Sequence, residues 1–390
     1  MRFDGTAIIN RLLLIFVMFT LTAAAFEGFF VKWGLHDEYF DSILAGTLYR
    51  PWAYRRLMPD AANAFRSSLS IEQQTELSTY LERDNFLSDK FRQTDIQSRY
   101  IIEYYFMYVV SFVSFLLSAF VMRRLCTEVT EDPIAGTLGA MLFILLFPLI
   151  STVGGYFYDF TELLFFMTAA LMAWRGNWIG ILLLTPFAEF NKESFFFLLF
   201  TLFPLLRRHL PLKKTLAVLG ASIMIAGLIY LKLQQLYADN PGSDTIFFLP
   251  TNIEVFSPLI AVPIAYMISR RINNRPIKNI IVGGTVIAVT AALFHFDLPI
   301  VERYFIVEHT YSVLSGEQLF IPHLLMIGWL IKCTWARLPI EWKNHAKAAS
   351  AINVPLWLLF CYPGELRNLS MLYPTLVLML SFYINGVIRR

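Results

Sequence analysis

Hydrophobic positions in this chain fall in blocks and do not alternate with polar ones. Apolar stretches close to the ~20 residues that cross a bilayer recur from end to end, separated by short polar connectors. They lie near residues 11–31, 101–122, 134–153, 159–174, 215–233, 254–269, 279–296, 318–334, 349–361 and 369–387. In lipid the backbone must satisfy its own hydrogen bonds, and continuous rather than alternating apolar runs do so as helices, not as a barrel. The pattern predicts an all-α polytopic membrane protein with about 11–12 transmembrane helices.

One further apolar segment, 177–206, is interrupted once, by Glu189-Phe190-Asn191-Lys192-Glu193-Ser194. It is long for one span and short for two. At ~1.5 Å rise per residue each arm climbs less than ~20 Å, short of a ~30 Å hydrocarbon core. A hairpin is therefore predicted. Charges and broken helices at membrane depth are tolerated inside protein or beside a wet cavity, so Glu189, Lys192 and Glu193 are expected to face an outward-opening aqueous cavity. The competing arrangement is one long tilted helix whose Lys and Glu pair within the bundle.

Composition agrees with the pattern. The chain is 57% hydrophobic and 16% charged, with 36 Phe, where a soluble domain carries about a quarter charged residues. A net charge of +3, without a basic tract interleaved with aromatics, leaves no reason to expect nucleic acid as a partner. The three cysteines, Cys126, Cys333 and Cys361, form no CxxC or Cys/His spacing, so neither disulfide nor zinc site is expected. Arg2 and Arg11 followed by an apolar run resemble a signal peptide, but the run continues through Val31 and reads as an uncleaved first span.

Basic residues then set the topology. Arg123-Arg124, Arg175, Arg207-Arg208 with Lys213-Lys214, Arg270-Arg271, Arg337 with Lys343, and Arg389-Arg390 occupy connectors of one side, the expected cytosolic side. The other side holds only Lys192, Lys232, Arg303 and Arg367 outside the first loop. Both termini are placed inside and the loop 32–100 outside. The chain thus divides into a first span (1–31), an external loop (32–100), a membrane module with the hairpin (101–233) and a C-terminal membrane module (234–390). Within the loop, residues 36–64 mix aromatics with charges, as short interfacial helices do. Ser70-Ile71-Glu72-Gln73 reads as a helix start.

Candidate chemistry gathers on the outer face. Asp37 directly follows the first span and is placed to act as general base toward a hydroxyl; Glu38 and Asp41 are adjacent alternatives. Asp159 follows Gly154-Gly155-Tyr156-Phe157-Tyr158 in the next outer turn, where a helix cap is the plainer role. Arg50, Arg55, Arg56, Lys192, Arg303 and Arg367 are candidate phosphate ligands, since guanidinium groups bind phosphate bidentately. For Glu365 and Arg367, an exposed turn pair after Pro363-Gly364 is the plainer role.

On these residues the chain resembles membrane glycosyltransferases of the GT-C superfamily. His36-Asp37-Glu38 matches the acidic motif after the first span, and the 32–100 loop matches the juxtamembrane helices. Tyr158-Asp159 matches the second acidic position. Tyr54-Arg55-Arg56-Leu57-Met58-Pro59 and Asn191-Lys192-Glu193-Ser194 resemble segments of bacterial members, in which Arg is usual in place of Lys192. The resemblance implies a GT-C-like fold and inverting transfer of a sugar from a polyprenyl-phosphate donor to a glycan, lipid or protein hydroxyl. It implies an inner-membrane location in a bacterium, with the site facing the periplasm, and a role in cell-envelope polysaccharide synthesis. Catalysis would fall to Asp37, Glu38 and Asp159. Phosphate binding would fall to Arg55, Arg56, Lys192, Arg303 and Arg367, and substrate contacts to Tyr54, Tyr158, Glu193 and Glu365. No cofactor is required; a divalent metal is compatible with a monophosphate donor but not needed. A secondary transporter or flippase, and a polysaccharide polymerase or ligase, are the competing readings.

Overall fold

The computed structural model describes residues 5–27, 40–83, 86–92, 94, 96–150, 156–241, 277, 284, 320–361 and 366–389. Asp37, Glu38, Arg303 and Glu365 lie outside the described residues, as do the predicted spans at 254–269 and 279–296. Among the described residues all regular structure is helical. Among the described residues three helical stretches are long and apolar enough to cross a membrane: Ser98–Thr130, Leu212–Leu236 and Leu366–Ile388. The predicted spans at 11–31, 134–153 and 318–334 are described in part, as shorter apolar helices. The predicted spans at 159–174 and 349–361 are helical, but their helices carry charge: Asp159 and Glu162 in one, Glu341, Lys343 and Lys347 in the other.

The core is built by α1 (Gly5–Phe26), α6 (Ile101–Thr130), α7 (Pro133–Ile150) and α8 (Phe157–Trp174). Phe26 of α1 lies 5.0 Å, ring to ring, from Phe160 of α8, and Phe115 of α6 lies 5.1 Å from Phe147 of α7 and 5.3 Å from Phe160. Edge-to-face and tilted contacts of this kind add about 0.5–1.5 kcal/mol per pair beyond area burial. The C-terminal helix, here α15 (Tyr373–Ile388), packs on α7 at Gly139.

The N-terminal polar segment forms α2 (Phe40–Ala45), a single 3-10 turn at Trp52–Tyr54, α3 (Leu57–Ser68), α4 (Ile71–Glu82) and α5 (Phe86–Arg92). Ser70 caps α4 in a reciprocal box with Gln73, as the sequence suggests. Arg66 of α3 reaches Glu103 of α6 at 2.7 Å and so fastens the segment to the core.

The 177–206 segment turns back on itself. α9 (Trp178–Asn191) starts beside Lys214 and ends with Phe190 packed near Tyr230 and Leu233 of α12 (Leu212–Leu236). α10 (Ser194–Thr201) and α11 (Phe203–Leu206) then return to Arg208, which covers the Trp174 ring. Lys192, with extended backbone, makes the break. Two helices follow near the C-terminal end, α13 (Phe320–Thr334) and α14 (Ile340–Phe360), and a 3-10 segment, Leu366–Leu372, leads into α15.

Candidate functional site

Four pieces of chain meet at the apex of the hairpin. The first two turns of α8 present Asp159 and Glu162, three residues apart and therefore on one helix face. Asp159 does act as a cap: its Oδ2 accepts from the Tyr156 amide at 2.9 Å. The same carboxylate also reaches across the bundle. Arg367 Nη1 donates to its Oδ2 at 2.5 Å, and Lys192 Nζ lies 3.3 Å from its Oδ1. Lys192 donates to Glu162 at 2.8 Å, and the other oxygen of Glu162 accepts from Ser194 at 2.5 Å and Ser370 at 3.1 Å. All four charged side chains are only 3–6% exposed.

The loop supplies the remaining cation. Arg55 forms a two-pronged pair with Glu193, at 3.2 Å and 2.6 Å, and donates to the Tyr158 hydroxyl at 2.5 Å. Burial opposes the Arg55 charge, but Glu193, with Tyr158 and Asp159, outweighs it and holds the guanidinium above its ordinary range. Aromatic faces complete the setting. Arg55 lies over Trp52 and Tyr158, and Arg367 over Tyr156, each at 4.5–4.7 Å. Asn191 ties the apex to α8: it accepts from Thr161 and donates to the Tyr158 carbonyl at 3.0 Å.

Local sequence explains this convergence. The break at Lys192 turns its side chain toward α8. The segment around residue 50 is held over the apex by the far end of α12: Asn240 donates to the carbonyls of Gly46 and Leu48, both at 2.7 Å, and the Arg50 amide donates to Pro241. Gly46 has φ +73°, and a Cβ there would stand 3.0 Å from the Tyr237 ring.

Of the residues singled out in the sequence, Arg55, Tyr158, Asp159, Lys192, Glu193 and Arg367 come together. Tyr54 is buried against Tyr230, 5.6 Å ring to ring. Arg56 faces elsewhere. It pairs with Asp60 and donates to the carbonyls of Ile43 at 2.6 Å and Leu44 at 3.1 Å, so it organises the loop. Asp41 contacts Tyr100 and Arg99 at the surface. Lys192 and Glu193, expected to face an aqueous cavity, are instead paired within the bundle, Lys192 with Asp159 and Glu162 and Glu193 with Arg55. Glu189 is 2% exposed and lies beside Glu193 and the Phe196 amide.

Sequence reasoning passed over Glu162, Ser194 and Ser370. The signal for Glu162 was present, as a second acid three residues after Asp159 on an otherwise apolar helix. Ser194 was marked only as the end of the polar interruption 189–194, and Ser370 was given no role. Among the described residues no group of three or more His, Cys, Asp or Glu is placed to hold a metal ion.

An apolar cavity of about 780 Å³ adjoins the network. Leu142 and Leu146 of α7, Trp329 of α13, and Leu366, Tyr373 and Leu376 line it. Arg367 stands between two of these residues, and the Tyr373 hydroxyl donates to the Arg367 carbonyl at 3.0 Å. The segment that walls the cavity therefore also carries Arg367 into the ion network.

No protein-family model matches the chain, and comparison with curated proteins and with solved structures returned no match.

Proposed function

We propose that this chain is a multi-pass membrane glycosyltransferase of the GT-C type, resident in a bacterial inner membrane. It would take a sugar from a polyprenyl-phosphate donor on the external face. One observation supports this most: Arg55, Asp159, Lys192 and Arg367 converge from distant segments beside an apolar cavity of about 780 Å³. An acid–base cluster with an adjoining apolar cavity suits a ligand that is anionic at one end and hydrocarbon at the other. The opposite ends of α8, α11 and α12 carry Arg175, Arg207, Arg208, Lys213 and Lys214, which suits a cytosolic side there.

In this reading an acceptor hydroxyl attacks the anomeric carbon opposite the lipid phosphate. The carbon–oxygen bond to the phosphate breaks, and a carboxylate takes the hydroxyl proton. Asp159 is already engaged by Arg367 and Lys192 and by the Tyr156 amide. Asp37 keeps the base role assigned to it from the sequence. Arg55, Lys192 and Arg367 stabilise the departing phosphate.

The test is release of polyprenyl phosphate from a labelled polyprenyl-phosphate sugar by the purified chain with a mixed acceptor extract. Release is expected from the wild type and a loss of at least 100-fold in Asp37→Asn. Full activity of a folded Asp37→Asn protein removes Asp37 from the mechanism. Failure of the wild type to act on any such donor refutes the reading. One feature favours a carrier instead: Glu189 is a carboxyl only 2% exposed in a broken helix, as proton-coupled transporters use. That reading predicts donor uptake into proteoliposomes without cleavage, abolished in Glu189→Gln.

A further inference from the structure

Every cation proposed to meet the donor phosphate already has an anion of the chain on it. Lys192 is shared by Asp159 and Glu162, Arg55 holds Glu193, and Arg367 holds Asp159. An arriving phosphate therefore meets no free positive charge among these three. It must take a cation from a carboxylate.

The four ion pairs are not equally exchangeable. Glu162 has Lys192, Ser194 and Ser370 around it, and Glu193 binds Arg55 by two prongs. Asp159 differs. If Arg367 leaves, its oxygens still keep the Tyr156 amide and Lys192. Of these three cations, Arg367 is the one whose chain neighbours Leu366 and Tyr373 line the apolar cavity, which Lys347 also lines. A hydrocarbon tail in that cavity would bring its phosphate to the Arg367 guanidinium.

We infer that Asp159 is a resident competitor for the donor phosphate: it holds Arg367 in the empty site and yields it to a phosphate monoester whose tail lies in the apolar cavity. The inference rests on the lipid-phosphate reading above and adds to it. The ion network is the resting state of the phosphate site, and Asp159 is a positioning residue for Arg367. No bond is made or broken in the exchange. The carboxylate keeps its cap and its lysine, and the guanidinium changes anions. The closed pair also keeps the empty site from leaving a guanidinium buried without a counter-charge.

The sign of the expected effect separates this from a purely structural role. Removing a group that binds a ligand weakens binding; removing a competitor strengthens it. The full chain in detergent micelles is titrated with farnesyl phosphate, farnesol and inorganic phosphate, with thermal unfolding as a check on folding. Asp159→Asn is expected to bind farnesyl phosphate about tenfold more tightly than the wild type, and Asp159→Glu is expected to show no gain. In Asp159→Asn with Arg367→Gln the gain is expected to vanish, because it is exerted through Arg367. A parallel gain for inorganic phosphate means that a free phosphate suffices; a gain for farnesyl phosphate alone means that the lipid ester is required. Either supports the exchange.

Equal or weaker binding of farnesyl phosphate by a folded Asp159→Asn protein, with the wild type binding it, overturns the inference and leaves the lipid-phosphate reading standing. Absence of binding by both proteins overturns the two together. Should Asp159→Asn not fold, Arg367→Gln alone decides. Farnesyl phosphate bound at wild-type affinity there, and more tightly than farnesol, overturns the proposal; loss of the preference over farnesol supports it.

Discussion

Arg55 and Arg56 are neighbours in the chain with unrelated work. Arg55 faces the ion network through Glu193 and Tyr158, while Arg56 holds Asp60 and the carbonyls of Ile43 and Leu44. Conservative replacement should separate them. Arg56→Lys cannot serve all three acceptors at once. It is expected to lower stability by about 1–3 kcal/mol, the usual cost of buried acceptors left without donors, with donor affinity unchanged in the protein that folds. Arg55→Lys loses the two-pronged contact to Glu193 and is expected to weaken donor turnover more than stability. Thermal unfolding and donor titration of both variants check this; a matched loss of affinity in the two would show that the loop acts as one unit. The adjacent guanidinium groups look equivalent in sequence, since nothing local tells which carbonyls or carboxylates lie opposite. Lys192 and Arg367 were legible because each is a lone base on a face that otherwise avoids them. Glu162 was visible only as a spacing, and Ser194 and Ser370 gain meaning only once α8, α10 and the 366–372 segment are folded together.

Helices are where the sequence was most informative, because an apolar run dictates a helix wherever backbone groups cannot reach water. α12 (Leu212–Leu236) follows its run closely, whereas α6 starts with its run at Ile101 but continues past it, through Arg123-Arg124 to Thr130. The path of α9 into α10 was foreshadowed by one polar knot in an apolar segment, and the turn lies at Lys192 within it. What a run of apolar residues does not encode is which helix it meets. The α7–α15 contact depends on Gly139, where a Cβ would stand 1.9 Å from Ser381 Oγ and 3.0 Å from Ser381 Cα. Because the second of these is backbone, rotation of the serine cannot relieve the clash, and the helices must separate. Gly139→Ala is expected to destabilise by about 1–3 kcal/mol, as overpacking does. Ser381→Gly placed on top of it should recover part of the loss, by freeing the Oγ and Cβ volume. A folded Gly139→Ala protein with an unchanged melting temperature would mean that α7 and α15 do not pack this closely.

At the scale of the whole molecule, the two ends of the helices differ in charge logic. One end gathers acids and bases in matched, buried pairs around Asp159 and Lys192. The other carries Arg207, Arg208, Lys213 and Lys214, all exposed. Two of these bases sit on aromatic faces, Arg208 at 3.7 Å from the Trp174 ring and Lys214 at 4.7 Å from Trp178. The 18 residues of α8 separate the two ends by roughly 27 Å at ~1.5 Å per residue, close to a bilayer's hydrocarbon thickness. The proposed enzyme needs the end with the buried ion network outside, where a polyprenyl-linked sugar would be presented, and the exposed basic end inside. A thiol reagent that cannot cross membranes tests this directly. In a chain with Cys126, Cys333 and Cys361 changed to Ser, Tyr49→Cys is expected to react in intact cells. Lys213→Cys is expected to react only after permeabilisation. Both positions are exposed, so failure to react reports side rather than burial. The reverse pattern would put the ion network on the cytosolic face, where the external-donor reading fails even if the geometry of the network stands.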